Sequence, residues 1–111
     1  MVTEIDATLT ALAEPTRRRI VELLRDRPHR AGELAAAFAV SAPAISRHLR
    51  VLRRSGLVTE HGVADDARLR VYELRREPFT ELGAWLDQVQ AFWTDQLGAF
   101  RNHVENLARD G

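Results

Sequence analysis

The fifteen residues from Ser41 to Ser55, SAPAISRHLRVLRRS, hold four arginines and no acid, with apolar side chains at Ile45, Leu49 and Leu52. On a helix of about 3.6 residues per turn those three share one face, and Arg47, Arg50, Arg53 and Arg54 are left to the flanks and the outside. Ser41 supplies an N-cap, and Val40 before it is placed to pack on Ile45 as a hydrophobic staple. Gly56 stands where a left-handed residue closes a helix, and Leu57 can fold back on Leu52. A short helix with one buried seam and a basic outside suits a DNA major groove.

The segments before this helix read as three more. Ile5, Leu9 and Leu12 form a short apolar stripe that ends before Pro15. Pro15 suits the first turn of a second helix, which buries Ile20, Val21, Leu23 and Leu24 and stops at Asp26–Pro28. Ala31 to Phe38 is a third, Ala-rich helix packing through Leu34 and Phe38. Only Ala39 to Ser41 separate it from the basic helix, the connector length of a helix-turn-helix. After it, 57–63 and 68–75 read as strands joined by Ala64-Asp65-Asp66-Ala67, with Leu69, Val71 and Glu73 alternating against Arg68, Arg70 and Tyr72. From Pro78 onward Leu82, Leu86, Val89, Trp93, Leu97, Phe100, Val104 and Leu107 recur every three or four residues. That helix spans on the order of 45 Å, more than a small core can cover, so its seam points to a partner helix.

At 111 residues the chain is read as one domain, 1–111. The helix-turn-helix is placed at 31–55, the hairpin or wing at 57–75 and a C-terminal dimerisation helix at 78–109. The formal net charge of zero conceals an asymmetry: residues 14–55 hold ten Arg against four acids, a balance of +6. The stretches 1–13 and 77–111 carry −2 and −4, so the pattern is one basic face on an acidic body. With no cysteine, disulfides, thiolate nucleophiles and thiolate metal ligands are excluded. No apolar run is long enough to span a bilayer, and the acidic N-terminus is unlike a signal peptide, so a cytoplasmic location is expected.

Taken together, Leu12-Ala13-Glu14-Pro15-Thr16-Arg17-Arg18-Arg19-Ile20, then Glu33-Leu34-Ala35, then Ser41, Pro43-Ala44, Ser46-Arg47-His48-Leu49, Leu52 and Gly56-Leu57-Val58 resemble the ArsR family of bacterial winged-helix repressors. The resemblance covers about residues 7–75. Trp85-Leu86, Phe92-Trp93 and Leu97 look like a subgroup lacking the usual metal ligands. The fold it implies is mainly α with a β wing, a winged helix-turn-helix in the order four helices, two strands, one helix. The dimer would form through the first and last helices. The function it implies is that of a homodimeric transcriptional regulator on a palindromic operator.

Candidate DNA contacts are Ser41, Ala42, Ser46, Arg47, His48, Arg50, Arg53, Arg68 and Arg70. Arg47 is the candidate for guanine O6 and N7, Arg50 and Arg53 for phosphates, and Arg68 and Arg70 for the adjacent minor groove or its phosphates. His48 is assigned to the DNA backbone or a base edge. Ala42 departs from the family, which commonly has Gln there, so a bidentate adenine contact is lost. Glu14 and Glu77 are read as helix caps better served by Asp. Candidate dimer-interface residues are Leu9, Leu12, Trp85, Leu86, Val89, Trp93, Leu97, Phe100 and Val104.

No metal and no cofactor is expected. The third helix has no sulfur ligand where the family's arsenic-type sites have cysteines. His103 and Glu105 are two apart and point about 200° from each other, so they cannot chelate together. A metal shared between subunits, or bound with His29 or His61, stays open, as does a ligand-responsive sensor. A winged helix that docks protein without touching DNA is the third alternative. No catalytic constellation is supported, so an enzyme is not expected.

Overall fold

The computed structural model describes residues 4–110. Its elements are α1 (Glu4–Leu12), α2 (Pro15–Asp26), β1 (His29–Arg30), α3 (Ala31–Phe38), α4 (Ala42–Arg54), β2 (Val58–Val63), β3 (Asp66–Leu74) and α5 (Glu77–Asp110). The chain divides into two compact units, one running through Phe79 and the other starting at Thr80.

The first unit is a winged helix-turn-helix. Its centre is made of Ile20 and Leu24 from α2, Leu34 from α3, Ile45, Leu49 and Leu52 from α4, and Leu57 and Val58 where β2 begins. Burying α4 through residues spaced four and three apart is what its sequence pattern requires. Phe38, Val40, Tyr72, Leu74 and Phe79 pack around that centre. Burying aliphatic groups of this size contributes about 1.5–3 kcal/mol each relative to exposure, which holds the short helices in place.

The sheet departs from expectation in its strand count, its turn and its facing. In α1 the buried residues are Thr8 and Ala11; of the apolar stripe, Ile5 and Leu12 are half-buried, Leu12 against this chain's own core, and Leu9 is 43% exposed. Small side chains let α1 approach α2 closely, and the Thr8 hydroxyl is satisfied by donating to the Glu4 carbonyl at 2.9 Å. The sheet has three strands, in the order β1-β3-β2, because His29 and Arg30 pair antiparallel with Tyr72 and Val71. The hairpin turn is also shorter than read, Ala64-Asp65 alone, since β3 already begins at Asp66. The ladder shifts register between Gly62 and Val63, so the strands pair irregularly next to that turn.

The wing also faces the other way. Val58 pairs with Leu74 and Glu60 with Tyr72, and cross-strand partners share a face. Tyr72 and Leu74 are the β3 residues that pack on the core, whereas Glu73 is exposed. Tyrosine can bury its ring and leave its hydroxyl at the edge, so it serves the inward face where Glu73 cannot.

The second unit is the remainder of α5. The whole helix has 34 residues, about 51 Å at 1.5 Å per residue. Glu77 is its first helical residue, one position inside the expected cap. Trp85, Leu86, Val89, Phe92, Trp93, Leu97, Phe100, Val104 and Leu107 are all exposed, Trp93 at 61%. None of the helices among the described residues is long and apolar enough to cross a membrane.

Candidate nucleic-acid interface

Three local devices present α4. The Ser41 hydroxyl accepts from the Ala44 backbone N–H at 3.3 Å, capping the first turn. The turn before it passes through Ala39 in the left-handed region, φ 52°, and the Val40 N–H returns to the Ala35 carbonyl at 3.3 Å. At the far end Gly56, φ 80°, donates to Arg53 O while Leu57 donates to Leu52 O, each at 3.0 Å. That pair of bonds is a Schellman closure, which needs a left-handed residue and is served by glycine.

The outer face of α4 is exposed at Ser46, Arg47, Arg50, Arg53 and Arg54, and Ser41 and Ala42 are exposed at its start. Arg47, Arg50 and Arg54 are three and four residues apart, so they form one row along the helix. Among the described residues they have no hydrogen-bond or ion-pair partner. Arg54 was not among the candidate contacts; its spacing from Arg47 and Arg50 places it in the same exposed row.

Arg53 is placed differently. Its Nη1 lies 2.6 Å from Glu60 Oε2 on the wing, and Arg70 Nε lies 3.7 Å from the other oxygen of that carboxylate. The Glu60 side chain is 18% exposed. Burial, and after it the Glu60 charge, pushes the neighbouring Tyr72 hydroxyl above its ordinary pKa. A cleft of about 510 Å³ between α4 and β2 is lined by Arg50, Arg53, Arg54, Val58, Thr59 and Glu60. Arg68, with its side chain 93% exposed, leans toward Asp66 at 3.5 Å.

His48 points away from the arginine row. Its side chain is 23% exposed, with Nδ1 3.7 Å from Glu14 Oε2 and 3.4 Å from Arg17 Nη1. Unprotonated, that nitrogen accepts from the guanidinium; protonated, it pairs with the carboxylate. Glu14 also caps α2, accepting from the Arg17 N–H at 2.9 Å. Burial pushes the Glu14 carboxyl up, but that N–H, the charges of His48 and Arg17 and a further N–H from Thr16 outweigh it and hold the pKa below its ordinary value.

Much of the positive charge counted between residues 14 and 55 is internal. Arg17 Nε donates to Ala11 O and Arg18 Nη1 to Leu12 O, both at 2.7 Å, satisfying the last carbonyls of α1. Arg19 lies over the Phe38 ring, 5.0 Å from its centroid. Arg27 and Arg30 pair with Glu33 at 3.0 and 3.6 Å. Glu33 also accepts from the Arg30 N–H at 3.1 Å, and this bond, followed by that from Arg27, lowers its pKa. The basic face therefore narrows to the row on α4 and the wing.

Of the histidines considered for metal, His29 is buried with Nδ1 2.8 Å from Arg27 O, and His61 Nε2 is 2.9 Å from Thr59 Oγ1 and 3.3 Å from Glu73. Among the described residues no three His, Cys, Asp or Glu side chains are grouped to hold a metal ion.

The profile of the "Bacterial regulatory protein, arsR family" matches residues 14–60, from the cap of α2 into β2. HTH-type transcriptional regulator Rv2034 of Mycobacterium tuberculosis is 38% identical over 105 residues, covering 95% of this chain and 92% of that protein. The chain belongs to the ArsR family. The transcriptional repressor SdpR of Bacillus subtilis is 39% identical to this ArsR-family chain over 51 residues, 46% of this chain and 57% of that one. The crystal structure of an ArsR family transcriptional regulator superposes with a TM-score of 0.74 at 33% identity, covering 83% of this chain and 98% of the other. This ArsR-family protein is a DNA-binding transcriptional regulator, and its winged helix-turn-helix is the family's fold.

Proposed function

We propose that the protein acts in the cytoplasm as a homodimeric repressor on an inverted-repeat operator. Its α4 helices would enter successive major grooves about 34 Å apart. The observation that carries this reading is the row of Arg47, Arg50 and Arg54, unpaired among the described residues, on a helix whose other side is locked by Ile45, Leu49 and Leu52. Arg47, near the start of the helix, reads base edges together with Ser46; Arg50 and Arg54 hold phosphates; Arg68 reaches the flanking minor groove. His48 contributes by bracing α4 against α2 instead of contacting DNA. The exposed apolar residues of α5 from Trp85 to Val104, with Leu9 of α1, are the dimer surface. Their exposure in a single chain supports that assignment, since soluble monomers seldom leave so continuous an apolar strip in water.

The proposal includes no resident metal: His103 and Glu105 diverge on α5, so DNA affinity should be unchanged by a chelator or by added zinc or nickel. The test of the whole reading is a titration of the protein against the duplex upstream of its own coding sequence and against a scrambled duplex. It is run alongside sedimentation at the same concentrations. Tight binding to the first, weaker binding to the second and a sedimenting dimer are expected. A monomer at micromolar concentration, or equal affinity for the two duplexes, overturns it.

A further inference from the structure

Glu60 is an acid set into the surface that meets DNA. It stands on β2, register partner of Tyr72, and its two carboxylate oxygens face Arg53 from α4 at 2.6 Å and Arg70 from β3 at 3.7 Å. By sequence, Arg53 looks like a phosphate contact and Arg70 like a contact to the minor groove or its phosphates. In the folded chain one carboxylate holds both. With its side chain 18% exposed, Glu60 is screened less by water and salt than a surface acid would be. It also borders the cleft that opens between Arg50, Arg54 and Thr59, where a DNA strand following the arginine row would bring phosphate oxygens.

We propose that Glu60 is a specificity-determining residue, which holds Arg53 and Arg70 away from phosphates and so weakens sequence-independent DNA binding. This rests on the reading of α4 and the wing as the DNA-facing surface. A phosphate that recruits Arg53 must break an existing ion pair and leave the Glu60 charge beside the DNA, so the exchange gains little. Arg47, Arg50 and Arg54 face no such competition. Binding then depends on the contacts that read or follow the operator, and a non-cognate duplex has fewer cations available to it. The same carboxylate joins the wing to α4, which fixes the angle at which the two meet the groove.

The experiment measures affinity of the full-length protein and of Glu60→Gln for the upstream duplex and for a scrambled duplex across a salt series. Freeing a guanidinium adds one phosphate contact, which steepens the log–log salt slope by about 0.9 and raises affinity roughly tenfold near 0.1 M salt. Glu60→Gln frees up to two guanidiniums, so it should bind the scrambled duplex about ten- to a hundredfold more tightly, with a slope steeper by about 0.9 to 1.8. The upstream duplex should gain less, so that discrimination falls. Glu60→Asp, which keeps the charge, should retain most of the wild-type slope. An unchanged slope in Glu60→Gln, or equal weakening on both duplexes, overturns the proposal, because a purely structural role would loosen the wing without adding cations.

Should Glu60→Gln fail to fold, Arg53→Ala decides the matter in the otherwise unaltered protein. A cation already neutralised leaves the slope near its wild-type value, and a slope shallower by about 0.9 overturns the proposal. The scrambled-duplex measurement needs no operator. A wild-type protein without preference for the upstream duplex would sink the operator reading and still leave the Glu60 result decisive.

Discussion

Helices α2 and α4 carry similar complements of arginine, and the fold uses them in opposite ways. On α2, Arg17 and Arg18 turn back onto the carbonyls that end α1, Arg19 covers Phe38, and Arg25 lies 3.6 Å from Asp26. On α4, Arg53 is held by Glu60, while Arg47, Arg50 and Arg54 are without partners among the described residues. What separates the two sets is the supply of acceptors. The open end of α1 offers α2 bare carbonyls six residues away, and among the described residues nothing comparable stands over Arg47, Arg50 and Arg54. An arginine count therefore locates charge, but only the neighbouring acceptors decide which charge a ligand can use.

The comparison would break most visibly on a pair of substitutions. Arg17→Ala removes a charged donor from the α1 carbonyls and one neighbour of His48, at an expected cost of about 2 kcal/mol in folding stability. That corresponds to a fall in melting temperature on the order of 10 °C. Arg47→Ala should leave the melting temperature nearly alone, since exposed side chains without partners change stability by within about 0.5 kcal/mol. Its effect falls on the operator, where losing a bidentate guanine contact costs about 1–3 kcal/mol, or roughly ten- to a hundredfold in affinity. Thermal melts and duplex titrations on both variants test the assignment. If Arg17→Ala melts like wild type, or Arg47→Ala unfolds early, the two helices do not differ as described.

The same contrast explains how far the sequence could be read. Both ends of α4 were visible in it because Ser41, Gly56 and Leu57 act on backbone within six residues of themselves. The bounds of α3 and the winged helix-turn-helix class were visible for a similar reason. The burial of Thr8 and Ala11 in α1 was not legible because it is set by the approach of α2, not by hydrophobic rank. Two-residue β1 has no period to detect. The partners of His48 lie 31 and 34 positions away in sequence, and Arg53 meets Glu60 only after the wing folds over. Candidate contacts were thus found by residue type, while their availability depended on tertiary neighbours.

A smaller effect sharpens the account of how α4 is aimed. Ala39 holds φ 52° in the turn between α3 and α4, a conformation that costs an L-residue about 1–2 kcal/mol and glycine much less. Glycine also adds freedom to the unfolded chain, which returns part of that gain. Ala39→Gly should therefore raise stability by no more than about 1 kcal/mol, measured by urea denaturation, with operator affinity unchanged. A loss of stability would mean that the left-handed turn is not what joins the two helices.

The smallest effect expected separates the caps of the two helices. Ser41 caps α4 with a hydroxyl that does not titrate, whereas Glu14 caps α2 with a carboxylate held below its ordinary value of 4.5. In the window beneath that value the unfolded chain binds more protons than the folded one, so stability rises with pH there. The contribution of Glu14 is complete above the unfolded value and is lost as pH falls through the folded one. Glu33, lowered chiefly by the Arg30 N–H, acts in the same direction. Glu14→Gln should then shrink the acid-induced fall in stability without abolishing it, and Glu14→Gln with Glu33→Gln should shrink it further. Protonating Glu14 also removes the charge facing His48, so the brace between α2 and α4 loosens in acid while the Ser41 cap persists. Urea midpoints taken between about pH 3 and pH 6 would show whether the two substitutions flatten the same window; a slope that neither changes would place the acid sensitivity elsewhere in the chain.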